Sequence, residues 1–156
     1  MKRIVILEFD GNIPSKKNSK QIFQNRKTKR PFITSSVAYK KWHEIAMYQM
    51  NLQKVNIKDI ELPIKKCDYI HTTIFYGDLR GKDNTNVVES LHDLLVDAGI
   101  IIDDNWKITG ETSQIPVFRE KQPGASIIIK IAEERSSDVS RGKMMNKKGN
   151  RSGHSN

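Results

Sequence analysis

The chain of 156 residues has a single cysteine, Cys67. An intrachain disulfide and a cysteine zinc site are therefore both excluded, which fits a reducing cytoplasm. No apolar run reaches the roughly 18 residues of a membrane span, so no membrane partner is expected. The N-terminal MKRIVILEFDG meets an acid at Glu8 after a handful of apolar residues. It reads as a first strand rather than a signal peptide. The four histidines, His43, His71, His92 and His154, show no metal-ligand spacing. Only His92, nearest the acids described below, is placed to act as a proton shuttle. Hydrophobic residues are 37% of the chain and charged residues 29%, so part of it stays outside any core. That part is the C-terminal end, where Ser, Lys, Gly and Asn dominate. The expected organisation is one domain over 1–133 and a basic, disordered tail over 134–156.

The net charge is +9, and it is unevenly placed. Gly11 to Lys41 holds nine basic residues and no acid, and Arg135 to Asn156 holds six basic residues against one acid. Seven of the eighteen carboxylates fall between Asp83 and Glu111, where Lys107 is the only base. Basic segments of this kind bind phosphates with release of counterions and a steep salt dependence. Gathering acids in a basic protein costs self-repulsion, and a divalent cation is a common reason to accept it. The bland reading of each is a solvated surface. Their segregation favours a metal-dependent enzyme acting on nucleic acid.

The apolar patterning predicts strands over Lys2–Phe9, Cys67–Tyr76, Gln114–Arg119 and Ser126–Ala132. It predicts helices from Ser35 or Ser36 to Leu52 and from Asn84 to Ala98, the second stopped by Gly99. The first helix is expected to turn Ala38, Trp42, Ile45, Gln49 and Leu52 inward. Ile13 to Thr34, basic and punctuated by Pro14 and Pro31, reads as a long functional loop or loose hairpin. The fold class is α+β: a small mixed sheet of four or five strands with two packed helices.

On the second helix Asn86, Glu89 or Ser90, Asp93 and Asp97 recur opposite the leucines. Glu89 and Asp93 are i,i+4 neighbours. Asp83 precedes the helix, and an Asp103–Asp104–Asn105 turn follows it. Hard cations such as Mg²⁺ take one or two carboxylates with waters and substrate phosphates, and such a site supports phosphodiester hydrolysis. Duller roles are a cap for Asp83 or Thr85, a capping box for Asn86 with Glu89, a wet helix face for Asp97 and a plain β-turn for Asp103–Asp104–Asn105.

The succession Asp83-Asn84-Thr85-Asn86, Asp93-Leu94-Leu95, Gly99, Asp103-Asp104 resembles the RusA family of Holliday-junction resolvases of bacteria and their phages. Ile13-Pro14-Ser15-Lys16-Lys17-Asn18 looks like that family's Pro-x-x-Lys-x-Asn loop, and Ser36 to Trp42 like its first helix. The resemblance covers roughly residues 3–132. It departs at Thr85, where the family has a second Asp, and at Glu89, where it has its catalytic Lys. Glu89 can supply the missing carboxylate, and the Lys16 to Arg30 loop a replacement cation. The resemblance implies a homodimeric, Mg²⁺-dependent endodeoxyribonuclease (Mn²⁺ being an alternative metal) that resolves four-way DNA junctions. It implies a cytoplasmic, nucleoid-associated or phage-encoded protein. It makes Asp83, Glu89, Asp103 and Asp104 the catalytic candidates and Asp83, Glu89, Asp104 and Asp93 the metal ligands. Lys16, Lys17, Lys20, Arg26, Lys27 and Lys29 would grip DNA phosphates. The alternatives are a non-catalytic DNA-binding accessory of replication or recombination, and an RNA-directed nuclease.

Overall fold

A computed structural model of the chain describes residues 3–15 and 20–134. It is a small α+β protein. A four-stranded mixed sheet runs in the order β1 (Ile4–Asp10), β6 (Gly124–Ile131), β4 (Cys67–Tyr76), β5 (Glu111–Phe118). β4 and β5 are parallel and the other pairs antiparallel. Parallel neighbours need a long crossover, and here it is α2 (Asn84–Asp97), followed by the four-residue α3 (Trp106–Thr109). All the acids singled out above lie on this crossover. β2 (Lys20–Gln24) and β3 (Pro31–Ser35) form a separate two-stranded sheet, the hairpin form of the basic segment.

Strict alternation in β1, with Val5, Leu7 and Phe9 buried, matches Ile129, Ile127 and Ala125 across the β6 register. Ile70, Thr72 and Ile74 of β4 continue the same rows. α1 (Val37–Gln53) and α2 cover that face, and Leu91, Leu94 and Leu95 of α2 are fully buried in the core.

Ser36 caps α1, its Oγ accepting from the Tyr39 N–H at 3.1 Å. The inward face of α1 is Tyr39, Trp42, Ala46 and Met50; of the expected set Trp42 is buried and Gln49 half-buried, while Ala38, Ile45 and Leu52 are exposed. Ile45 is 49% and Leu52 57% exposed. Two glutamines of the helix bond to β1. Gln53 accepts from the Glu8 N–H at 2.8 Å and donates to the Glu8 carbonyl at 2.7 Å. Gln49 accepts from the Asp10 N–H at 3.3 Å. Main-chain groups left unpaired at a sheet edge are thereby satisfied.

Candidate metal centre and nucleic-acid interface

α2 begins where Asp83 stops the preceding loop. Oδ1 of Asp83 accepts from the Asn86 N–H at 3.2 Å, and Oδ2 accepts from the Asn86 side-chain amide at 2.7 Å. Asp83, rather than Thr85 or an Asn86–Glu89 box, is thus the N-cap. An ionised carboxylate has about four lone-pair sites, so capping leaves Asp83 acceptor capacity for a further partner. Tyr76, at the end of β4, donates from its hydroxyl to Asn84 Oδ1. Burial first, and the Asp83 charge second, push the Tyr76 phenol above its ordinary range.

The polar stripe of α2 differs from the expected one. Asn86 and Ser90 are buried, while Thr85, Glu89 and Asp97 are exposed and Asp93 half-buried. The Ser90 hydroxyl points inward, where it lies 2.9 Å from the Pro14 carbonyl and 3.2 Å from that of Asn86. The hydrogen bond to Pro14 latches the start of the basic loop onto the acidic helix. Asp97 is joined to α1, its Oδ2 lying 2.8 Å from His43 Nε2. Asp97 thus lies on the exposed face, as expected, and pairs there with His43.

The two acids of the Asp103–Asp104 pair have separate roles. Asp103 holds the turn: Oδ1 accepts from the Asp104 N–H at 2.7 Å and Oδ2 from the Asn105 amide at 2.6 Å. These bonds, the Asn105 one foremost, hold the Asp103 carboxyl below its usual range. Asn105 in turn caps α3 through the Lys107 N–H at 3.0 Å. Asp104 faces Asp93. Partial burial, then the Asp93 charge, then Asp103 raise its carboxyl above its usual value. His92 lies in the same neighbourhood. Burial lowers its basicity, against the opposing charges of Asp104 and Asp93, and its Nε2 is buried without a partner among the described residues.

Asp93 and Asp104 therefore feel each other's charge, with Glu89 one helical turn from Asp93. Asp83 lies ten residues before Asp93, roughly 15 Å along a helix that rises 1.5 Å per residue. With Mg–O bonds near 2.1 Å, those two carboxylates cannot share one ion. Among the described residues, no three His, Cys, Asp or Glu side chains form a group able to hold a metal alone. The donors present are nonetheless of the kind Mg²⁺ takes, since one or two carboxylates suffice when water and phosphate complete the shell.

Arg26, Lys27 and Lys29 lie exposed at the hairpin tip. Lys20 starts β2, with only its backbone described, and Lys16 and Lys17 lie outside the described residues. Sequence reasoning missed Tyr76 and Lys82, which line a groove of about 210 Å³ beside Asp83 with Arg80 and Val117. Their position just upstream of the Asp83 motif was the available signal.

Comparison with family models and with curated proteins finds no match to this chain. No helix among the described residues is long and apolar enough to cross a membrane.

Proposed function

We propose that this protein is a divalent-metal-dependent endodeoxyribonuclease of the RusA type, acting on four-way DNA junctions. The observation that carries the reading is the Ser90–Pro14 latch at 2.9 Å. It ties Pro14, the first residue of the Pro-x-x-Lys-x-Asn motif, to α2, the helix that also carries Glu89, Asp93 and Asp97. An acidic centre bordered by cations is the arrangement phosphodiester hydrolysis requires, because the substrate is a polyanion and its hydrolysis develops further negative charge.

Asp104 and Asp93 would hold Mg²⁺, with Glu89 as a further ligand. Asp83, too far along α2 to share that ion, would be available to a second one, and Mn²⁺ could replace Mg²⁺. When bound, the ion would supply Lewis-acid stabilisation of the phosphate and of the leaving oxygen. Asp103 keeps the Asp104 turn in place. Lys16, Lys17, Lys20, Arg26, Lys27 and Lys29 would neutralise phosphates and orient the branch. A two-fold junction needs paired nicks, so the reading carries a homodimer. It also carries action at DNA in the cytoplasm, nucleoid-associated or after phage infection.

One observation favours a second reading, a DNA-binding accessory without cleavage. Asp83 is engaged as a helix cap, and Thr85 and Glu89 stand where the family has an acid and a lysine. The test is nicking of a synthetic four-way junction with Mg²⁺ or with EDTA, alongside Asp104→Asn and Asp83→Asn. Symmetrical Mg²⁺-dependent nicks, lost in both variants while junction binding survives, are expected. Tight binding without cleavage under any divalent metal would leave the accessory reading.

A further inference from the structure

Among the described side chains, none of the β2–β3 hairpin belongs to the two buried clusters, yet its tip is tightly organised. Asn25 N donates to the Arg30 carbonyl and Lys29 N to the Asn25 carbonyl, both at 2.9 Å. The Asn25 side-chain oxygen accepts from Lys27 N at 2.9 Å and Thr28 N at 3.1 Å. Lys29 turns the corner with a φ of +59°. These bonds present Arg26, Lys27, Lys29 and Arg30 to solvent within five positions. Immediately below, Phe23 and Phe32 face each other across the strands. Their ring centroids are 5.9 Å apart, with planes at 26°, and they are 45% and 48% exposed. Neither ring belongs to the core formed by the described residues, and with Ile22, 75% exposed, they give the hairpin an exposed apolar surface of the kind that can mark a binding site.

We propose that the hairpin is a DNA arm whose Phe23–Phe32 pair stacks on nucleobases exposed at a branch point. It rests on the nucleic-acid half of the reading above and names the element that would tell a junction from a continuous duplex. The four tip cations would hold the flanking phosphates, which fixes the register but carries no branch information. The rings supply that information. In a continuous duplex every base face is covered, and an aromatic wedge has to unstack a step before it gains a contact. In the unstacked form that a four-way junction takes without divalent metal, the base pairs at the crossover offer open faces, and base–aromatic stacking is tolerant of sequence. Charge decides against a second copy of the chain as occupant. Isologous pairing of the hairpins would bring the like-charged tips toward one another, whereas DNA neutralises them.

The test uses the full chain in EDTA, so that binding is read without cleavage. Anisotropy compares a four-way junction with a linear duplex, and 2-aminopurine at the crossover reports stacking. Phe23→Leu with Phe32→Leu should weaken junction binding about tenfold, abolish the 2-aminopurine response, and leave duplex affinity and its salt slope unchanged. Phe23→Trp with Phe32→Trp should restore both signals. Arg26→Gln with Lys27→Gln should weaken both DNAs alike and reduce the salt slope by about 2.

Unchanged junction binding in the leucine pair overturns the proposal, as does an equal loss on both DNAs. A drop from dimer to monomer mass in light scattering would assign the rings to a protein contact and overturn it too. The two readings fail separately. Ring-dependent junction preference in a wild-type protein that never cleaves with Mg²⁺ refutes the nuclease and keeps the arm. Cleavage with junction selectivity intact in the leucine pair keeps the nuclease and refutes the arm.

Discussion

Asp83 is expected to serve α2 and the chemistry at once, and two substitutions separate those duties. Alanine removes both bonds to Asn86 (3.2 and 2.7 Å) and the negative charge at the helix N-terminus. Loss of an N-cap costs about 1 kcal/mol and loss of the favourable dipole interaction about 0.3–1 kcal/mol. The sum, about 1–2 kcal/mol, corresponds to a fall of roughly 3–8 °C in Tm for a domain of this size. Asparagine keeps one oxygen for the cap and loses the charge and the second bond, so about half that fall is expected. Thermal melts followed by circular dichroism read the difference. Cleavage of a four-way junction, measured well below both melts, should be lost in Asp83→Asn although its fold is nearly intact. An alanine variant melting within a degree of wild type would refute the capping argument. Full cleavage by the asparagine variant would remove Asp83 from the site.

Asp104 carries a carboxyl whose pKa is raised above its ordinary 3.8 by burial, then Asp93, then Asp103. An acid with a raised folded pKa weighs against the fold once ionised. Asp104→Asn should therefore raise Tm at pH 7, the gain shrinking as pH falls through the raised pKa and vanishing below 3.8. Mg²⁺ should raise the Tm of the wild type more than that of the variant, as differential calorimetry would show. Gly110 has φ +65°, and a Cβ there would meet the Asp68 carbonyl and, at 2.6 Å, the Cys67 carbonyl. Gly110→Ala should cost at least about 2 kcal/mol in urea unfolding. Cys67 is buried, and burial with the nearby Asp68 pushes its thiol up to about 11. Iodoacetamide should label it slowly in the native protein and readily in urea, as mass spectrometry would record.

The elements with regular alternation or a leucine stripe were legible: β1, β4, β6 and α2 lie within a few residues of their expected bounds. β5 starts at Glu111 rather than Gln114 because, as an exposed edge strand, it shows no burial alternation. The hairpin carries no Asn-Gly signal. Its turn is made instead by an Asn25 side chain and a lysine at positive φ, which composition does not announce. The buried face of α1 is displaced from the expected one, Tyr39, Ala46 and Met50 replacing Ala38, Ile45 and Leu52. Gln49 does turn toward β1, and Gln53, polar in sequence, bonds to it as well. The same ambiguity hid Asn86 and Ser90, polar residues buried because each has a backbone or side-chain partner. The acids themselves were visible. Which of them hold a turn, a cap or a neighbouring helix was not, since those roles depend on contacts across the crossover.

The glutamine contacts to β1 bear on how the protein avoids aggregation. Gln53 offers the Glu8 peptide a donor and an acceptor, as an adjoining strand would, so one flank of the sheet is already occupied. On the opposite flank, Pro116 interrupts the donor row of β5, and proline there discourages strand addition. With both flanks blunted, templated growth of the sheet into a fibre is discouraged. Any lasting self-association is thereby directed to faces, where side chains rather than backbone choose the partner.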